Sequence, residues 1–249
     1  MKYRKFKGDK MFNGFGFIDN EQVLITDEHG TVIELTSTQD AGEQIEQFDG
    51  TICPGFINAH CHLELSHLKD VIPPHTGLIP FLLDVVGKRD FPMETILDRI
   101  EKAEKEMFQD GIVAVGDIGN TANTLETKRN SKIRWNNFVE VLSFSDEMSP
   151  KRMQEYNEVL KAFNEAEPEL EKDHFKSALV PHAPYTISNL TFKEINRLTP
   201  GAVISMHNQE HPAEDVLYKT GEGDYLSFLK IFGFAASPFP ITGKSALRS

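Results

Sequence analysis

Two histidines, His60 and His62, close the stretch Pro54-Gly55-Phe56-Ile57-Asn58-Ala59-His60-Cys61-His62. In an extended strand alternate side chains share a face, so this spacing sets the two imidazoles side by side. Neutral imidazole binds Zn²⁺ or Fe²⁺ well, and such a pair needs one more donor and an open position to make a catalytic site. The third donor is sought in Ile204-Ser205-Met206-His207-Asn208-Gln209-Glu210-His211, where His207 ends another apolar run. Glu210, three residues on, has the chemistry of a general acid/base: a carboxylate beside an activated water can take its proton and deliver it to a leaving group.

These residues need elements to hold them. The first fifty residues alternate, as in Gln22-Val23-Leu24-Ile25-Thr26 and Thr31-Val32-Ile33-Glu34-Leu35 around the turn formers Asp27-Glu28-His29-Gly30, and read as a small β-rich module over residues 1–50. From Thr51 the pattern becomes strand then helix, repeated through residues 51–249. Strands are expected over Thr51–Ala59, Ile112–Ile118, Trp135–Phe144, Lys176–Pro181 and Ala202–Met206, with helices over Met93–Gln109 and about Pro150–Ala166, the second stopped by Pro168. His182 and His207 each follow a strand, and Asp117, near the end of another, is read as a turn or helix-capping residue. Active-site residues of (β/α)₈ barrels gather at the C-terminal ends of strands, and about five βα units describe an incomplete barrel of that type. An open doubly wound sheet is the structural alternative.

Composition narrows the partners. A formal net charge of -12 argues against nucleic acid or an anionic membrane, both of which call for clustered Lys and Arg, and favours a small-molecule substrate. Met1-Lys2-Tyr3-Arg4-Lys5 lacks the apolar run of a secretory leader, and the two cysteines, Cys53 and Cys61, are too few for a disulfide framework. Cytoplasmic location is the resulting expectation; homo-oligomerisation is left open. His67, His75, His174 and His211 are read as surface or loop histidines.

The stretch Pro54 to His62 resembles the first-strand metal motif of the amidohydrolase superfamily, and His207-Asn208-Gln209-Glu210 is similar to the His-x-x-Glu of its aminohydrolase branch, which includes cytosine, guanine and S-adenosylhomocysteine/5'-methylthioadenosine deaminases. Pro181-His182-Ala183-Pro184-Tyr185-Thr186-Ile187-Ser188 resembles the fourth-strand segment that carries a substrate-binding histidine, and His62-Leu63-Glu64-Leu65-Ser66 is similar to aminofutalosine deaminase-like members. The resemblance implies one divalent metal ion, Zn²⁺ or alternatively Fe²⁺, on His60, His62 and His207. It also implies substrate contact by His182 and Glu64, proton transfer by Glu210, and a β-sandwich to which the N-terminal module contributes. The implied reaction is hydrolytic deamination of an aminopurine, nucleoside or related amino-heterocycle by metal-activated water, with cyclic amide hydrolysis or dechlorination as the rival chemistries. Members of the family carry a further histidine after a sixth strand and an aspartate after an eighth, and the sequence ends before either. A C-terminally shortened chain is therefore expected, with an inactive remnant or partner subunit as the alternative.

Overall fold

The computed structural model describes residues 2–167 and 175–249, and Pro168 and His174 lie outside the described residues. The chain divides into two compact units, Met1–Phe56 and Ile57–Ser249.

In the first unit β1 (Tyr3–Phe12), β2 (Phe17–Ile18), β3 (Gln22–Asp27), β4 (Val32–Ser37) and β5 (Glu46–Ile52) form one sheet in the order β2-β1-β3-β4, with β5 parallel to β1. The expected hairpin is β3 with β4, paired antiparallel. Its turn is closed by Asp27, whose carboxylate accepts from the backbone N–H groups of His29 and Thr31 at 2.9 and 2.8 Å, in the manner of an Asx turn. A short helix, α1 (Thr38–Ala41), is capped by Ser37 and completes a small core of Val23, Ile25 and Ala41.

The strand expected over Thr51–Ala59 is in fact two. β5 ends at Ile52 and β6 (Phe56–Cys61) begins four residues later, because Pro54 between them has no N–H to extend a ladder. In the second unit β6 joins β7 (Ile112–Gly119), β8 (Arg134–Val141) and β9 (Phe175–Pro181) in the order β6-β7-β8-β9, and the β7–β8 and β8–β9 pairs are parallel. Around them lie α2 (Leu78–Lys88), α3 (Met93–Gln109), α4 (Leu125–Arg129), α5 (Ser149–Ala166), α6 (Asn189–Leu198), α7 (Pro212–Thr220) and α8 (Tyr225–Ile231). The helix pattern works as amphipathicity requires: α3 buries Ile96 and Ile100, four apart, and α5 buries Met153, Tyr156 and Phe163 after a proline in its first turn.

The fifth expected strand, Ala202–Met206, is not formed. One backbone bond, His207 N–H to the His182 carbonyl at 2.7 Å, ties this stretch to the sheet, and Val203 and Ile204 are 70% and 46% exposed. An apolar run alone does not make a strand; a ladder does.

Alternation in the sheet sorts two sets of residues. Trp135, Val139 and Val141 on β8, with Val115, Phe175 and Leu179, pack against Ile96, Ile100, Met153 and Phe163 of the helices. Ile118, Phe138 and Val180 cluster on the other side of the sheet. Asp117, expected at a turn or helix start, lies within β7 on the helix-facing side. There its carboxylate meets Lys128 Nζ at 2.5 Å and accepts from Leu63 N–H at 2.8 Å, while Lys128 donates to Asn137 at 2.7 Å and sits 5.1 Å from the ring centres of both Trp135 and Phe163. No helix among the described residues is long and apolar enough to cross a membrane.

Candidate metal centre and substrate cleft

β6 delivers His60, and His62 follows directly at the start of a 3₁₀ turn over Leu63–Leu68. Asp117, bonded to Leu63 N–H, fixes the backbone just after His62. His207 comes from the extended segment beyond α6. The three rings converge, with centroids 5.1 Å apart for His60 and His62, 4.8 Å for His60 and His207, and 5.1 Å for His62 and His207. Nε2 of His62 and Nε2 of His207 face each other across 3.1 Å. One nitrogen from each of the three lies within 4.8 Å of the others, the spacing of a set that could hold one ion.

Burial keeps His62, His182 and His207 neutral. Burial lowers His62 to about 4, helped by His207 and His60, and lowers His207 to about 4, helped by His60. His182, stacked on His207 with centroids 5.0 Å apart, is lowered to about 3 by burial and by the neighbouring imidazoles. Neutral imidazoles have free lone pairs, which is the form a metal requires. The donor chemistry therefore fits a divalent ion.

The loop bearing Glu210 is shaped from below. Buried Glu214 of α7 accepts from the backbone N–H groups of Gln209 and Glu210, both at 2.9 Å, and holds Gln209 at a φ of 59°. Glu210 has its carboxyl pushed above the ordinary range, first by partial burial in the cleft wall and then by Glu214. His211, expected on the surface or in a loop, caps α7 by accepting from Ala213 N–H.

His60, His62, His182, His207 and Glu210 all line one cleft of about 840 Å³. Its other wall is apolar, with Leu78, Phe81, Leu82 and Val85 of α2 and Phe228 and Phe232 near α8. His182 Nδ1 stands 2.7 Å from the Thr186 hydroxyl, which sets its ring. Glu64 is not in the lining. Its carboxylate is buried and accepts from Asn120 N–H and Thr121 N–H at 3.0 Å each and from the Thr121 hydroxyl at 2.6 Å, with Arg89 3.7 Å away. It thereby fixes Asn120 and Arg89, which do line the cleft. His67, expected at the surface, is buried between the carbonyls of Glu64 and Arg89, each 3.1 Å from a ring nitrogen.

The sequence reading missed Glu140. It ends the inner row of β8, two residues after Phe138, and is 4% exposed. Oε1 stands 3.3 Å from His207 Nδ1 and 4.0 Å from His182 Nε2, and burial pushes its carboxyl up to about 8. The available signal was a lone acid between the apolar residues of Phe138-Val139-Glu140-Val141-Leu142.

The sequence pattern of the Amidohydrolase family matches residues 51–230, most of the chain. The chain belongs to the amidohydrolase family. Among related sequences, an aminodeoxyfutalosine deaminase of Nitratiruptor sp. is 28% identical over 185 residues, which are 73% of this chain and 44% of that protein. Among solved structures, Helicobacter pylori aminofutalosine deaminase in complex with methylthio-coformycin superposes with a TM-score of 0.77 at 20% identity, covering 95% of this chain and 59% of that one. An adenosine deaminase from Xanthomonas campestris with bound zinc gives 0.64 at 17% identity, covering 92% and 54%. This amidohydrolase chain thus spans about half the length of these proteins, and over that span it has their fold, an arc of barrel type with an additional β-rich unit.

Proposed function

We propose that this chain carries the metal-binding half-site of an enzyme that hydrolytically deaminates an aminopurine, a nucleoside or a related amino-heterocycle in the cytoplasm, with one zinc ion held by His60, His62 and His207. The observation that carries the reading is the convergence of three imidazoles at a cleft that the Glu210 carboxyl also lines. Three nitrogen donors suit zinc, with Fe²⁺ as the alternative, and the related adenosine deaminase structure contains zinc. A cytoplasmic setting is supported by two free thiols, Cys53 and Cys61.

When bound, the ion supplies Lewis-acid chemistry, which takes the pKa of water from 15.7 to about 7 in favourable zinc sites. The protein's own groups do the rest. Glu210 accepts a proton from the attacking water at its carboxylate and passes it to a ring nitrogen of the substrate; the proton of the added hydroxyl then passes to the amine, which departs as ammonia and leaves a carbonyl. Partial burial and Glu214 raise its pKa, which favours holding a proton. His182, neutral and set by Thr186, offers Nε2 to the substrate. Glu64 serves the substrate through Asn120 and Arg89. The apolar wall of α2 and α8 receives the part of the substrate that carries no charge.

The test is an ammonia-release screen over aminopurines, their nucleosides and cytosine, with metal content measured in parallel. Glu210→Gln is expected to lower turnover by about 10²-fold or more while zinc content stays unchanged. Normal turnover in that variant removes Glu210 from the proton path. Release of chloride or ring-opened product without ammonia replaces deamination by another hydrolysis.

A further inference from the structure

Glu140 has an unusual place: a buried carboxyl group whose Oε1 has no hydrogen-bond partner among the described residues, standing 3.3 Å from Nδ1 of His207. A buried polar atom left without a partner is costly, so such atoms mark a task. The other oxygen has one, since Asn120 Nδ2 approaches Oε2 at 3.3 Å and also donates to the Glu140 carbonyl at 2.8 Å. The side chain is therefore anchored on one side and open toward His207 on the other.

His207 has two distinct edges. Nε2 points to Nε2 of His62, and Nδ1 points to Glu140. For Nε2 to present a lone pair, the single proton of the neutral ring must sit on Nδ1, and an acceptor oxygen facing Nδ1 selects that tautomer. The backbone N–H of His207 donates to the His182 carbonyl at 2.7 Å and so fixes the residue next to Glu140.

Glu140, His182 and His207 can be drawn as a second ion-binding group. Sharing His207 between two ions would need both of its nitrogens unprotonated, which a neutral imidazole does not provide. Resting on the metal reading of His60, His62 and His207, we infer that Glu140 is a positioning residue, which accepts the Nδ1 proton of His207 and so turns its Nε2 toward the ion. The role belongs to β8, an element that supplies none of the three histidines.

Two variants of the full chain test it. Glu140→Met keeps the volume and removes the acceptor, and Glu140→Gln keeps an amide oxygen that can accept. In metal-free protein, ¹⁵N NMR of His207 is expected to show the Nδ1–H tautomer in the wild type and in Glu140→Gln, and a mixture in Glu140→Met. Zinc affinity is expected to fall by about 10- to 100-fold in Glu140→Met and to return most of the way in Glu140→Gln, with one ion per chain in the wild type. An unchanged tautomer and unchanged affinity in Glu140→Met overturn the inference, as do two ions per wild-type chain. If the wild type takes up no zinc, the functional reading falls, and the tautomer comparison still decides the role of Glu140.

Discussion

Lys128 shows how far a single residue's position can differ from its sequence character. A lysine in Leu125-Glu126-Thr127-Lys128-Arg129 reads as a solvated helix end, yet it is 1% exposed and paired with Asp117. Removing one partner of a buried ion pair leaves the other uncompensated, at a cost of about 3–5 kcal/mol, whereas replacing both is nearly neutral. Lys128→Met should therefore lower the unfolding free energy by about that amount in urea titrations, and Asp117→Asn combined with Lys128→Met should restore most of it. A Lys128→Met protein as stable as the wild type would mean that the pair contributes nothing net. The same residues explain what was legible. His60, His62 and His182 come together at the cleft because each sits at or just after a strand end, a place the sequence periodicity marks, and His207 and Glu210 reach it from the extended segment beyond α6. Glu140 was hidden because its work is to face other protein groups across the fold, and partners 20 to 67 residues away leave no local pattern.

At the scale of elements, β7 carries a constraint that its sequence only hints at. A Cβ at Gly116 would lie 2.7 Å from the Ala59 carbonyl oxygen and 3.0 Å from the Phe138 ring, so the absence of a side chain lets β6 approach. Gly116→Ala should cost about 1–3 kcal/mol by overpacking. Because the displaced backbone adjoins His60, zinc affinity should fall with it. Thermal unfolding and zinc titration of this variant measure both; an unchanged affinity would show that β6 absorbs the clash without moving His60. The helices α3 and α5 and the strands β7, β8 and β9 were legible because their apolar spacing matches their burial. Ala202–Met206 failed for a different reason: its composition is strand-like, but among the described residues one backbone bond, at His207, ties its end to the sheet. The break at Pro54 was written in the sequence, in a residue that cannot donate to a ladder.

At the scale of the molecule, the three histidines draw on the beginning and the later part of the Ile57–Ser249 unit, with His62 and His207 145 positions apart. An ion held by both should stabilise the folded form of that unit by mass action, about 2.7 kcal/mol at a hundredfold excess over its Kd. Zinc should accordingly raise the melting temperature, a chelator should reverse the gain, and His60→Ala should abolish most of it. Equal zinc response in wild type and His60→Ala would remove His60 from the ligand set. The chain has a single tryptophan, Trp135, 2% exposed in the core of this unit with the Lys128 ammonium over its ring. Its indole is thus a built-in optical probe: emission from this one dry, cation-facing site should shift to longer wavelength when water reaches it, so every unfolding experiment proposed above can be read without a label.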